Sequence, residues 1–191
     1  RYVRSGDWGR KGMMALTSRT AGSRVGIAGM GRIGQAIARR CAAMEQEIGY
    51  FSRNEKPETG YLFFPRLAEL AQWADTLIVV TPGGPQTKGM ISREVLHALG
   101  PQGTFINVSR GSVVDEPALI EALQTGKLGA AGLDVYLNEP NPDPAFAKLD
   151  NAVLYPHHAS GTVETRDAMA QLVVDNLAAS IYKQAEQANE D

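Results

Sequence analysis

Arg24-Val25-Gly26-Ile27-Ala28-Gly29-Met30-Gly31-Arg32-Ile33-Gly34-Gln35-Ala36-Ile37-Ala38 is the stretch from which the fold can be read. Its first five residues form a short, mostly apolar run. A glycine-rich turn follows, and then Ile33, Ile37, Ala38, Cys41 and Met44 recur at helical spacing. That is a strand, a turn and a helix. The same grammar repeats outward along the chain: short apolar runs at Glu47–Phe51, Thr76–Val80, Thr104–Val108, Ala130–Val135 and Ala152–Tyr155 are each too short for a typical helix and are bounded by turn residues. Between them lie helical segments at Leu67–Trp73, at Ser92 with Glu94 in the first turn, and from Asp115-Glu116-Pro117 through Leu123 to Gly126. Alternating elements with near-continuously apolar strands, six in this reading, predict an α/β fold, a doubly wound parallel sheet with helices on both faces.

After the last strand, Thr162 to about Lys183 places Met169, Leu172, Val173, Leu177 and Ile181 on one face of a long C-terminal helix, ahead of a polar tail at 184–191 expected to fray. Pro140 to Pro144 reads as a stiff surface loop. The predicted organisation is a dinucleotide-binding domain over 1–161 with an N-terminal helical arm, and a C-terminal helix over 162–191.

Composition narrows the function. With 19 Lys+Arg against 21 Asp+Glu, net charge −2, there is no basic field to hold a nucleic-acid backbone. The longest stretch without a charged side chain, Val95 to Ser109, is too short and too broken by His97, Pro101 and Gly103 to span a bilayer, so no membrane role is expected. The single cysteine, Cys41, makes no intramolecular disulfide, and no CxxC or HExxH spacing suggests a metal site; the expected location is cytoplasmic. Cys41 and His97 read as structural or surface residues.

Gly29-Met30-Gly31-Arg32-Ile33-Gly34 follows a strand and opens a helix, which makes the fold a Rossmann-type dinucleotide-binding domain. Gly29 allows a tight turn, Gly31 lets a pyrophosphate approach the backbone, and Gly34 permits close helix–strand contact, while the helix N-terminus offers free N–H groups. At the end of the second strand, where NAD-binding domains usually carry a carboxylate for the ribose 2′-hydroxyl, stands Phe51-Ser52-Arg53-Asn54. Glu55 comes late for that role, whereas Arg53 offers a guanidinium for a 2′-phosphate, with Ser52 as a hydrogen-bond donor and Lys56 nearby. NADP(H) is therefore the preferred cofactor, with NAD(H) possible.

The other strands also end in polar or glycine-rich segments: Thr81-Pro82-Gly83-Gly84, Ser109-Arg110-Gly111-Ser112, Asp134 leading to Glu139, and His157-His158-Ala159-Ser160-Gly161. In a parallel sheet all these ends share one edge, where ligands bind. A cation, carboxylates and an imidazole converging there point to hydride transfer coupled to proton transfer.

These residues also carry a family pattern: the glycine motif, then Asn107-Val108-Ser109-Arg110-Gly111-Ser112-Val113-Val114-Asp115, then Gly132-Leu133-Asp134-Val135-Tyr136 with Glu139-Pro140, then Pro156-His157-His158-Ala159-Ser160. From about Trp8 to Leu177 the chain resembles the D-isomer-specific 2-hydroxyacid dehydrogenases, and its Ser52-Arg53 resembles the NADPH-using glyoxylate/hydroxypyruvate and hydroxyphenylpyruvate reductases. The resemblance implies that Arg110 binds the carboxylate and carbonyl of a small 2-keto acid, His157 donates the proton to the keto oxygen, and Glu139 pairs with His157. It further implies that Asp134 touches the nicotinamide carboxamide, that Arg32 and Ile33 meet the pyrophosphate, and that Thr81 lines the cofactor groove; Ser109 and Ser160 stand beside these as cofactor-site candidates. A homodimer is implied too. Two departures stand out: a second histidine, His158, adjoins His157, and Pro82-Gly83-Gly84-Pro85 replaces a bulkier Pro-Leu-Thr-Pro loop, which is expected to loosen the groove. The resemblance also implies an N-terminal substrate-domain segment that this sequence does not contain, so the chain reads as a cofactor domain. A second class of function uses the same fold as a non-catalytic NAD(P)-sensing module; Arg110, Glu139 and His157 together argue against it.

Overall fold

The computed structural model describes residues 2–14 and 16–190, with 182–190 as helix backbone. Its elements run α1 (Asp7–Lys11), β1 (Arg24–Ala28), α2 (Arg32–Ala43), β2 (Glu47–Phe51), β3 (Leu62–Phe63), α3 (Leu67–Trp73), β4 (Thr76–Val79), α4 (Arg93–Leu99), β5 (Thr104–Asn107), α5 (Glu116–Gln124), β6 (Ala130–Leu133), β7 (Ala152–Leu154) and α6 (Val163–Glu190). The local signals act as the sequence implies. Ser92 caps α4 by accepting the Val95 N–H, and Asp115 caps α5 by accepting the Ala118 N–H at 3.1 Å.

All strand pairs are parallel, and the seven-stranded order is β3-β2-β1-β4-β5-β6-β7. From β1 the chain winds outward to β3, then crosses back to β4 on the other side and winds outward again. The crevice between β1 and β4 is thus the point where the winding reverses, the place where open α/β sheets bind ligands. The seventh strand, β3, is an edge strand the sequence reading lacks; it is a two-residue pairing of Leu62 and Phe63 with Gly49 and Tyr50. So short a run has no detectable period of its own.

Two apolar layers hold the sheet. On one face, Val25, Ile27, Ile48, Tyr50 and Ile78 pack with Ala38 of α2. On the other, Leu77, Val79, Phe105 and Leu133 pack with Leu70 of α3, Leu96 of α4 and Leu119 of α5. Both layers bury side chains almost completely, which is the main favourable term holding the sheet to its helices.

The long helix behaves differently. Met169, Leu172, Val173, Leu177 and Ile181 of α6 are each at least half exposed, so its apolar stripe stands away from the sheet. The helix also continues to Glu190, past the expected fraying point at 184. Among the described residues no helix is long and apolar enough to cross a membrane.

Candidate active site

The glycine turn is built as the motif requires. Gly29 has φ +108°, a conformation side-chain-bearing residues rarely adopt, and its N–H donates to the Phe51 carbonyl at 2.9 Å. That bond ties the turn to the end of β2 and sets Ser52 and Arg53 beside it. A Cβ at Gly34 would run into the Gly29 carbonyl, so the first turn of α2 lies against the turn that precedes it. Gly31 is the N-cap of α2 and nothing lies within 4 Å of where its Cβ would be, leaving its backbone open to an approaching ligand.

Gly31, Arg32, Ile33, Gly34, Thr81, Ser109 and Arg110 line an open groove of about 760 Å³ across the β1–β4 crevice. Ser52 and Arg53 stand at its β2 end and are not part of its wall. The Ser52 hydroxyl donates to the Asn54 carbonyl at 2.5 Å, within the turn that carries Arg53. The Thr81 hydroxyl faces the Met90 sulfur at 3.6 Å.

The Arg110 loop is stiffened from below. Asn107, buried at the end of β5, accepts the Ser109 N–H at 3.0 Å and donates to the Arg110 carbonyl at 3.2 Å. The Ser109 hydroxyl accepts the Arg110 N–H at 2.5 Å, and Arg110 Nη1 donates to the Ser109 carbonyl at 2.6 Å. A Cβ at Gly83 would stand 2.9 Å from Arg110 Cγ. The side-chain-free loop therefore gives the arginine its room.

The ends of β6 and β7 supply the remaining groups. Glu139 Oε2 lies 2.7 Å from His157 Nδ1, and Glu139 Oε1 accepts the Tyr136 N–H at 2.9 Å. Partial burial works against ionisation of Glu139. The hydrogen bonds from His157 and Tyr136, with the charges of His157 and Arg110, outweigh it and hold the carboxyl below the usual range. His157 itself has φ +51°, in the left-handed region. The turn is held there by Asp134, whose carbonyl accepts the His157 N–H at 2.8 Å and whose buried carboxylate accepts the His158 and Ala159 N–H groups at 2.7 and 3.0 Å. Half the acceptor capacity of Asp134 is thus spent on this turn, a role composition and spacing do not announce. Ser160 sits half-buried at the close of the same turn. Glu139 and His157 border a cavity of about 330 Å³ walled by Tyr136, Pro140, Pro142, Leu154, Tyr155 and Pro156. The ring of His158 packs over Gly161, where a Cβ would strike it; the carboxylate partner belongs to His157.

An imidazole held by a carboxylate on one ring nitrogen stands at the same end of the parallel strands as a glycine-lined groove whose wall includes Arg110. Comparison with known proteins agrees with this geometry. Residues 1–159 match the family model described as D-isomer specific 2-hydroxyacid dehydrogenase, NAD binding domain. The chain belongs to the D-isomer specific 2-hydroxyacid dehydrogenase family. Among its relatives, the hydroxyphenylpyruvate reductase of Plectranthus scutellarioides is 51% identical over 179 residues, 94% of this chain and 57% of that protein. The 2-ketogluconate reductase of Gluconobacter oxydans is 50% identical over 178 residues, 93% of this chain and 57% of the relative. A solved 2-hydroxyacid dehydrogenase from Ketogulonicigenium vulgare Y25 superposes with a TM-score of 0.89 at 45% identity, covering 95% of this chain and 57% of that one. The NADPH-dependent glyoxylate/hydroxypyruvate reductase of Sinorhizobium meliloti, solved with NADP and malonate, gives 0.87 at 47% identity over 93% of this chain and 56% of that one. The chain spans little more than half the length of the relatives it matches.

Proposed function

We propose that this chain is the cofactor-binding portion of an NADPH-preferring reductase that converts a small 2-keto acid, of the glyoxylate, hydroxypyruvate or arylpyruvate class, to a D-2-hydroxy acid. The observation that carries the proposal is the His157–Glu139 pair at 2.7 Å, at the same sheet edge as Arg110 and the glycine groove. The residues present fit a dinucleotide. Gly31 leaves backbone open at a helix N-terminus, Arg32 and Ile33 flank it for the pyrophosphate, and a 760 Å³ groove runs on to Thr81, Ser109 and Arg110. Arg53, beyond Gly29 at the end of β2, is the group to meet a 2′-phosphate. Asp134 would offer its remaining lone pairs to the nicotinamide carboxamide, with Ser160 at the close of the turn that Asp134 holds.

When bound, the cofactor supplies the hydride. Arg110 holds the substrate's carboxylate and carbonyl and stabilises negative charge developing on the keto oxygen. Glu139 fixes His157 through Nδ1, which leaves Nε2 as the nitrogen that delivers a proton to that oxygen. Hydride on carbon and proton on oxygen together make the alcohol. The relatives named as reductases of hydroxyphenylpyruvate and of glyoxylate and hydroxypyruvate support this substrate class. In this reading the dinucleotide-binding domain spans 1–161, the C-terminal segment 162–191 returns to a substrate-binding domain, with the exposed apolar stripe of α6 as its contact face, and the enzyme is a cytoplasmic homodimer.

The test is keto-acid-dependent oxidation of NADPH by the full-length protein, preceded by fluorescence titration of this chain with NADPH and NADH. Consumption of NADPH is the expected result. Tight binding of cofactor without consumption by any keto acid of the class would replace the reductase with the sensing module.

A further inference from the structure

Between the loop that carries Arg110 and the loop that carries Glu139 lies a carboxylate that the proposed chemistry does not use. Glu116 is only 8% exposed, in the first turn of α5, and its Oε1 accepts the Leu137 N–H at 2.8 Å. Leu137 follows Tyr136, whose own N–H goes to Glu139. Two carboxylates, one from α5 and one from the loop itself, therefore grip consecutive backbone amides of the segment leading to the His157 partner. The same two loops meet a second time, because a Cβ at Gly111 would drive into the Tyr136 carbonyl and the Leu137 nitrogen. Only a glycine lets the backbone behind Arg110 lie flat against that of Tyr136.

The chain from Arg110 to Glu116 is short and well tied. It forms a 3-10 turn over Gly111–Val113, the Ile91 N–H donates to the Val113 carbonyl at 3.0 Å, and the Asp115 N–H returns to the Ile91 carbonyl at 3.0 Å. One rigid stretch thus presents Arg110 at its start and Glu116 at its end. We propose that Glu116 is a positioning residue: by holding the Leu137 N–H against the Gly111 contact, it fixes the spacing between the Arg110 loop and the Glu139–His157 pair. The inference rests on the reductase reading for the chemistry that this spacing serves. The setting suits a fixed acceptor. Burial pushes the Glu116 carboxyl above its usual range, the Leu137 N–H opposes this, and the charge of Asp143 adds to it.

Three variants decide the matter: Glu116→Ala removes the acceptor, Glu116→Gln keeps an oxygen at the same reach without charge, and Glu116→Asp keeps the charge but withdraws the oxygen by one methylene. Two readouts are needed, an NMR titration of the Glu139 side-chain carboxyl in this chain and the kcat and KM of the full-length protein. In Glu116→Ala the Glu139 carboxyl is expected to titrate back toward the usual carboxylate range. Its kcat should fall about 10- to 100-fold, the scale of a small misplacement of a reacting group, while KM for NADPH stays within about two-fold. Glu116→Gln should stay close to wild type in both readouts. If Glu116→Ala lowers only the melting temperature and moves neither readout, Glu116 is a structural acid and the proposal is wrong. Should the alanine variant not fold, the other two decide: Gln better than Asp supports a positioned acceptor, and Asp better than Gln overturns it in favour of charge. Absence of keto-acid turnover in the wild type would remove the reductase reading, yet the Glu139 titration would still report whether Glu116 holds the loop.

Discussion

His157 and Glu139 stand eighteen positions apart in sequence and 2.7 Å apart in space, and most of the proposed chemistry depends on that approach. With Nδ1 occupied, replacing His157 by Gln should remove the proton donor while leaving the groove intact. The expected loss is about 10²- to 10⁴-fold in kcat, with NADPH affinity unchanged by fluorescence titration. Arg53 calls for the opposite pattern. Arg53→Ala should weaken NADPH by about 10-fold or more, the worth of a charge-assisted hydrogen bond, and leave NADH untouched; equal weakening of both cofactors would sink the 2′-phosphate assignment. Glu139 also links the site to pH. Its folded-state carboxyl is held below the ordinary value, so the stabilisation it lends is present above the unfolded carboxylate's range and disappears as pH falls through the lowered folded value. Glu139→Gln should therefore reduce the loss of stability on acidification, measured by denaturant unfolding at a series of pH values. At this scale Arg110, Glu139 and His157 were legible from residue type and from their places after strands. Asn107, Glu116 and the bonds Asp134 makes to its neighbours' backbone were not, because a buried polar side chain declares its role only through the amide it faces.

Among the elements, the β1–turn–α2 unit was the most legible and is the least tolerant. Gly34→Ala places a methyl against the Gly29 carbonyl, a backbone atom that must shift to admit it. The expected result is a loss of about 1–3 kcal/mol in stability by thermal or denaturant unfolding, from overpacking, together with weakened NADPH binding as the turn shifts. At the N-terminal ends of the central strands, Asp75 at the foot of β4 accepts the Arg24 N–H at 2.8 Å and pairs with its guanidinium at 3.0 Å, joining β4 to β1. The Arg24 hydrogen bond is the main reason its carboxyl titrates below the usual range, so this contribution too is present at neutral pH and is lost as pH falls through the folded value. Both side chains are more than a third exposed, and solvent screening keeps the effect small. Strand β3 escaped the reading because two paired residues at an edge depend on the partner strand, and β4, β5, β6 and β7 each end slightly earlier than their apolar runs because ladder bonding stops before hydrophobicity does.

At the scale of the molecule the described residues form an open parallel sheet with an apolar layer on each face, and a helix whose apolar stripe meets solvent. Ending the chain after Gly161 should accordingly change the melting temperature of the sheet domain by no more than a few degrees, since about 1 kcal/mol moves it only that far. A collapse of the domain on truncation would show that α6 buries surface the structure leaves open. The chain of 191 residues is expected to bind NADPH and to turn over keto acids poorly, because no described element closes the groove against water; efficient turnover by this chain alone would defeat that expectation.

Apart from β3, the order of strands and helices is present in the one-dimensional pattern, as are the nucleotide-binding turn and the three polar residues of the candidate site, because apolar periodicity, caps and glycine positions are local. Folding added what is not local. The crossing from β3 to β4 creates the crevice, the Gly29–Phe51 bond brings Arg53 beside the glycine turn, and the contact of Gly111 with Tyr136 sets two loops at one distance. Each of these joins backbone groups far apart in the chain, and such pairings are chosen by the packing of whole layers rather than by the residues on either side of them.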